Sequence, residues 1–325
     1  MLGLLFLVVA GFVTWYEFQA HPLGGPGRGV IVEISPNEAE GAVLSSLAGH
    51  GVIASSFAFR LSFIVHGTPP IEPGTYYFHR NQTFGAVRSV LEGGTDVFPV
   101  RVLPGYTAAE VAERVDAVPG QSDATFLAAL KSGAVHSPFE AQGSNDLEGL
   151  LGIGTYEVVP GETPTQLLAA MVGRFDQEAR AAGLAQAAPG FGLTPNEMVT
   201  VASIVEKEGY IEKNMGMVAR VVYNRLAQGT PLQMDSTVLY SLGQDGGPVT
   251  PADEKLDTPY NTYLHTGLPP TPIATPSPTA LQSAAHPPPG AWLYFELVNK
   301  DGTEQFSDTF AEQLAAEQLA VSRGL

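Results

Sequence analysis

Few side chains in this sequence combine a reactive group with a position that would tune it, and Glu208 is the clearest. Thr194-Pro195-Asn196-Glu197 supplies a capping hydroxyl, a proline for the first helical position and a glutamate three residues after the cap. That pattern predicts a helix opening there and running through Met198 to Glu208. At 3.6 residues per turn Val201, Ile204, Val205 and Glu208 share one face, and Gly209 follows as a break. Glu206 falls about 160° around the helix from Glu208, nearer the solvated side of Lys207. A carboxyl that closes an apolar stripe is half desolvated, which raises its pKa and keeps it protonated. Such an acid can protonate a leaving oxygen, as glycosidic cleavage requires. The same spacing also fits a helix-end glutamate that reaches water or pairs with Arg220 or Arg225.

Several segments must position that acid. Met217 to Ala227 has helical spacing, with Val218, Val221 and Val222 inward, Arg225 continuing the stripe and Gly229 as the stop. Pro231 to Val238 reads as a loop. Thr258 to Tyr263 and Gly267 to Ile273 are polar-aromatic and proline-rich. Their tyrosines, amides and hydroxyls suit sugar hydroxyls and ring faces, and equally suit an ordinary loop. Ala291 to Val298 reads as a strand, Asn299 to Gly302 as a turn and Phe310 to Leu319 as a helix. His136, His265 and His286 lack metal-ligand spacing with one another and read as structural or surface residues.

The whole chain has 325 residues, room for roughly two domains of about 150. Sixteen Lys and Arg against 33 Asp and Glu give a net charge of −17, which argues against a phosphate-tracking nucleic-acid binder. With no cysteine there are no disulfides, thiolate metal sites or cysteine nucleophiles. Met1 to Tyr16 is free of charge and ends in Trp15-Tyr16, the pattern of a single membrane anchor with an aromatic interface. No basic n-region and no small-x-small cleavage site mark it as a secretory signal. The expected organisation is an anchor over 1–20, a linker over 21–28, a small module over 29–95 and a larger α+β domain over 96–325. The module reads strand (31–34), helix (38–47), helix (55–65), strand (74–78) and helix (84–91). That is the plan of a LysM-like βααβ carbohydrate-binding module, shared with many small α+β domains.

Five motifs stand in one order: Ala202-Ser203-Ile204-Val205-Glu206-Lys207-Glu208, Tyr223-Asn224-Arg225-Leu226, Leu232-Gln233-Met234-Asp235-Ser236-Thr237-Val238, Tyr260-Asn261-Thr262-Tyr263 and Gly267-Leu268-Pro269-Pro270-Thr271-Pro272-Ile273. Together they resemble the endolytic murein transglycosylase (YceG-like) family over about Ile31 to Leu325. The resemblance implies a single-pass membrane protein whose catalytic domain is extracytoplasmic, a LysM-like module, and lytic cleavage of nascent peptidoglycan glycan strands between MurNAc and GlcNAc. It implies 1,6-anhydro-MurNAc ends as products, a mechanism that needs no metal or cofactor, and peptidoglycan synthases as partners. It assigns the catalytic acid/base to the second glutamate of the Glu-Lys-Glu run, Glu208, and a cleft lining to Gln233, Asp235, Tyr260, Asn261 and Thr262. One departure stands out. Where the family carries Pro-Asp before Thr-Tyr, this chain has Ile153-Gly154 within Glu148 to Tyr156. Two other functions fit parts of the pattern: a hydrolytic muramidase with Asp235 as its second carboxylate, and a catalytically weak glycan-binding or scaffold protein of the cell-wall synthesis machinery.

Overall fold

The computed structural model describes residues 2–209 and 211–325, so Met1, the head of the expected anchor, lies outside the described residues. The chain is α+β and divides into two compact units. The first runs to Pro99 and takes in 157–162; the second comprises 100–156 and 163–325.

The first unit begins with α1 (Leu2–Ala20), whose segment Gly3–Ala20 is long and apolar enough to cross a membrane. Nineteen residues span about 28 Å at the helical rise, close to a hydrocarbon core. Its last turn enters the unit's core: Ala20 is buried and the Tyr16 ring meets Phe84 at 6.1 Å. The Gly/Pro-rich stretch that follows is held in place. Asn81 Nδ2 donates to the carbonyls of Leu23 and Gly25, and Gly27 N–H donates to the Arg80 carbonyl.

Next come β1 (Gly29–Ile34), α2 (Glu40–Gly49), α3 (Ser56–His66), β2 (Gly74–His79) and α4 (Phe84–Gly93), the order expected from the sequence. Strands β1 and β2 are antiparallel, with Gly29 opposite His79 and Ile34 opposite Gly74. Alternation turns Val32, Ile34, Tyr76 and Phe78 inward onto Val43, Leu44, Leu47, Phe59, Val87 and Leu91. Ser55 and Thr83 cap α3 and α4 by accepting the N–H of Ala58 and Ala86.

The chain continues with β3 (Phe98–Val102), α5 (Ala108–Asp116), α6 (Asp123–Lys131), β4 (Gly154–Val158), α7 (Pro164–Ala181), α8 (Leu184–Ala187), α9 (Pro195–Glu208), α10 (Glu212–Gln228), α11 (Asp235–Ser241), α12 (Pro278–Ala285), the antiparallel hairpin of β5 (Tyr294–Leu297) with β6 (Glu304–Ser307), and α13 (Phe310–Ser322). Helix α9 is central to the second unit. Every residue from Met198 to Val205 is buried, and α10, α11 and α12 pack around it. The predicted Thr194/Glu197 capping box is formed in both directions, and Gly209 ends the helix. Helix α10 opens five residues ahead of the expected Met217, and in that added turn Asn214 points inward and donates to the Gly302 carbonyl. No element is assigned from the sequence where α12 lies, although Ser277 caps it and Pro278 opens it as Thr194 and Pro195 do for α9.

Candidate active site

Glu208 is the last residue of α9, and its Oε1 accepts the Ser236 backbone N–H at 3.0 Å. Ser236 lies in the first turn of α11, where N–H groups have no intrahelical partner. Burial pushes the Glu208 pKa up and the negative Asp235 adds to the rise, while the contact with Ser236 and the Lys207 ammonium oppose it. Among the described residues neither arginine weighed from the sequence pairs with Glu208. Arg220 donates to the carbonyls of Pro287 and Pro288. Arg225 Nε donates to the Leu293 carbonyl, and its Nη1 donates to the carbonyl of Leu232 and the amide oxygen of Gln233.

The other charged residues of the Glu-Lys-Glu run are engaged in the scaffold. Glu206 accepts the Ser277 N–H at 2.8 Å beside the N-terminus of α12. Lys207 pairs with Asp245. Glu208 therefore remains as the carboxyl facing open space.

That space is a cleft of about 350 Å³ lined by Glu208, Arg225, Gln233, Asp235, Tyr263 and residues of β5 and α13. A second cleft of about 670 Å³ is lined by Glu148, Lys207, Ser236, Tyr240 and Tyr260. Asp235 accepts the Tyr263 hydroxyl at 2.5 Å. The Glu296 carboxyl, also in the first cleft, has its pKa raised by burial, while its bond from Gln313 opposes and the charges of Glu317 and Asp235 reinforce the rise.

The residues singled out from the sequence separate into two groups. Gln233 and Asp235 line the cleft with Glu208. Gln233 has a left-handed backbone, φ 52°, held by its N–H to the Thr262 carbonyl and its side-chain contact with Arg225. Tyr260 lines the second cleft, its ring 4.8 Å from Tyr240 and its hydroxyl 2.8 Å from that of Thr271. Asn261 and Thr262 line neither cleft; both are buried. Asn261 Nδ2 donates to the carbonyls of Glu254 and Leu256 while its Oδ1 accepts the Tyr263 N–H. Thr262 Oγ1 accepts the Met234 N–H and contacts the Thr237 hydroxyl. These two residues shape the loop that presents Gln233 to Ser236, because each polar atom is spent inside the fold.

Tyr223-Asn224-Arg225 works in a similar way. Tyr223 Oη donates to the Ala284 carbonyl, Asn224 to those of Gly290 and Trp292, and Arg225 to Leu293 and Leu232. The motif thus fastens α12, the approach to β5 and the cleft loop to α10.

Ile153 and Gly154, the point of departure from the family pattern, line neither cleft. Sequence reasoning missed Ser236 as the partner of Glu208, and also Glu148, Tyr240 and Glu296. Glu148 is buried, its carboxylate accepting the N–H groups of Ala108 and Gly149 and the Tyr240 hydroxyl. Gly149 has φ 74°, and a Cβ there would collide with Pro272 Cβ, which explains the glycine beside that glutamate. Among the described residues no group of three or more His, Asp or Glu side chains could hold a metal ion.

A model of the YceG-like family matches residues 32–318. The chain is 26% identical over 333 residues to the endolytic murein transglycosylase of Bacillus subtilis, covering 97% of this chain and 92% of that protein. It is 28% identical over 295 residues to the endolytic murein transglycosylase of Streptococcus pneumoniae, covering 81% of this chain and 52% of that relative, about half its length. A crystal structure of a yceG-like protein from Listeria monocytogenes superposes with a TM-score of 0.59 at 27% identity, covering 89% of this chain and 99% of that one.

Proposed function

The chain belongs to the YceG-like family, and from that premise we propose that it is an endolytic murein transglycosylase, a lyase of peptidoglycan glycan strands. The observation that carries the reading is Glu208: a carboxyl at a helix end, driven toward its protonated form by burial and open to a cleft.

In this reading a glycan strand lies along the cleft with the bond between MurNAc and GlcNAc at Glu208. The Glu208 acid gives its proton to the glycosidic oxygen as the C1–O bond breaks. The resulting carboxylate takes the proton of the muramyl C6 hydroxyl, whose oxygen bonds to C1. The product is a 1,6-anhydro-MurNAc end, no water is consumed, and Glu208 finishes protonated. One carboxyl serves as acid and then base, so no second catalytic carboxylate is needed. Gln233 and Asp235 are the cleft residues available to orient the sugar, with Tyr260 offering an aromatic surface in the adjoining cleft. Asn261 and Thr262 act behind them as positioning residues.

The remaining features extend the proposal. Helix α1 is a single-pass anchor, the βααβ unit is a LysM-like module and the catalytic unit faces the cell wall, where peptidoglycan synthases are its partners. A hydrolytic alternative draws on Asp235 and Glu296, two further carboxyls in the Glu208 cleft that could activate water.

The test is mass spectrometry of un-crosslinked glycan strands digested by the full chain beside Glu208→Gln. The expected products are anhydro-muramyl ends from the native protein, reduced at least about 1000-fold in the variant while glycan binding is retained. Reducing ends carrying an added water would replace this reading with the muramidase. Undiminished cleavage by the variant would remove Glu208 from the mechanism.

A further inference from the structure

Helix α3 is apolar on both of its faces. Ala58, Phe59 and Ser62 are buried in the core of the first unit, as one amphipathic face should be. On the opposite side Phe57, Leu61, Ile64 and Val65 recur at helical spacing, with Phe57 62% exposed, Ile64 80% and Val65 78%. A helix apolar all round normally lies within a protein core or in lipid, and single exposed side chains of this size seldom gather in one stripe on a water-facing surface. The lone cation on this face, Arg60, is already paired with Glu40 at 3.2 Å.

The stripe is continuous with α1. The two helices pack together, and the Trp15 ring lies 6.4 Å from Phe57. Trp15 stands near the C-terminal end of α1, the level at which an indole suits a membrane–water interface. The lipid-facing surface of α1 therefore passes through Trp15 directly onto α3.

We propose that α3 is a second membrane contact, lying in the interface with Phe57, Leu61, Ile64 and Val65 among the upper acyl chains while its other face completes the module's core. The proposal rests on α1 being a membrane anchor. With the face's only cation already paired and a net charge of −17, apolar burial supplies the attraction, so neutral phosphatidylcholine suffices and anionic lipid adds nothing.

The absence of cysteine makes the test direct. Single-cysteine variants Phe57→Cys, Ile64→Cys, Val8→Cys in α1 and Ser45→Cys on the exposed side of α2 are spin-labelled in the full chain. They are reconstituted in phosphatidylcholine nanodiscs, and collision with oxygen is compared with collision with a water-soluble nickel chelate. Labels at 57 and 64 are expected to favour oxygen, at depths of about 5–10 Å below the headgroup level, with 8 deeper and 45 in water. Oxygen preference at 8 with aqueous exposure at 57 and 64 would overturn the proposal and leave the anchor standing. Aqueous exposure at 8 would overturn the anchor, and this inference with it. Shielding of 57 and 64 from both reagents, with spin–spin broadening that vanishes on dilution with unlabelled chain, would overturn it in favour of pairing between two copies.

Discussion

Replacing Glu148 by glutamine should remove a pH dependence that the native fold carries. Burial pushes the Glu148 pKa from 4.5 to about 7, against the opposing bonds from Ala108, Tyr240 and Gly149. A carboxyl whose folded pKa lies above its unfolded value binds more protons when folded. Its contribution is therefore fully present below about pH 4.5 and is lost as pH rises to about 7. The difference between those values, at 1.36 kcal/mol per unit, makes the loss about 3 kcal/mol. Glutamine keeps an oxygen for the N–H groups of Ala108 and Gly149 and cannot ionise. The variant should match the native protein near pH 4.5 and exceed it by about 3 kcal/mol at pH 8. The chain has two tryptophans, Trp15 in the first unit and Trp292 in the second. In a Trp15→Phe background, urea unfolding in detergent micelles followed by Trp292 fluorescence isolates the relevant unit. Native and variant stabilities that run parallel from pH 4.5 to 8 would refute the assignment of a buried, upshifted carboxyl to Glu148.

Three further outcomes follow from the same structure. Because the Asp235 charge helps to hold the Glu208 pKa up, the alkaline fall of kcat/KM in glycan cleavage should begin at lower pH in Asp235→Asn; an unmoved limb would separate the two carboxyls. Arg225→Lys cannot reach the carbonyls of both Leu293 and Leu232. It should lose about 2 kcal/mol in the Trp292 unfolding assay, with kcat falling more than KM changes as the loop before Ser236 loosens. Gly149→Ala combines a left-handed backbone with a clash against Pro272; a loss of about 3 kcal/mol is expected, and a neutral result would mean the turn can relax.

The helix that carries Glu208 was legible because its signals are local: a capping pair, a proline, an apolar period and a glycine stop. The choice of Glu208 over Glu206 followed from that period, and the structure adds the reason Glu206 is occupied, its bond to Ser277. What the sequence concealed depends on partners distant along the chain. Ser236 reaches Glu208 across 28 positions, and Glu296 enters the cleft on a hairpin whose burial no local pattern reports. Asn261 and Thr262 looked like sugar-binding residues since polar side chains in a proline-rich loop carry the same signature whether they face solvent or their own backbone. Helix α12 carries a start signal of the same kind as α9, Ser277 followed by Pro278, but its eight residues span too few turns for an apolar period to stand out.

The stretch between α1 and β1 is pinned to the module by Asn81 and Arg80. A free tether of eight Gly/Pro-rich residues would give its cargo a reach of about 15 Å. Here Ala20 is already part of the core, so that slack is absent. The module is thereby fixed in height and tilt relative to α1. Under the proposed anchoring of α1, a glycan strand bound by the module would be confined to a thin layer next to the bilayer surface.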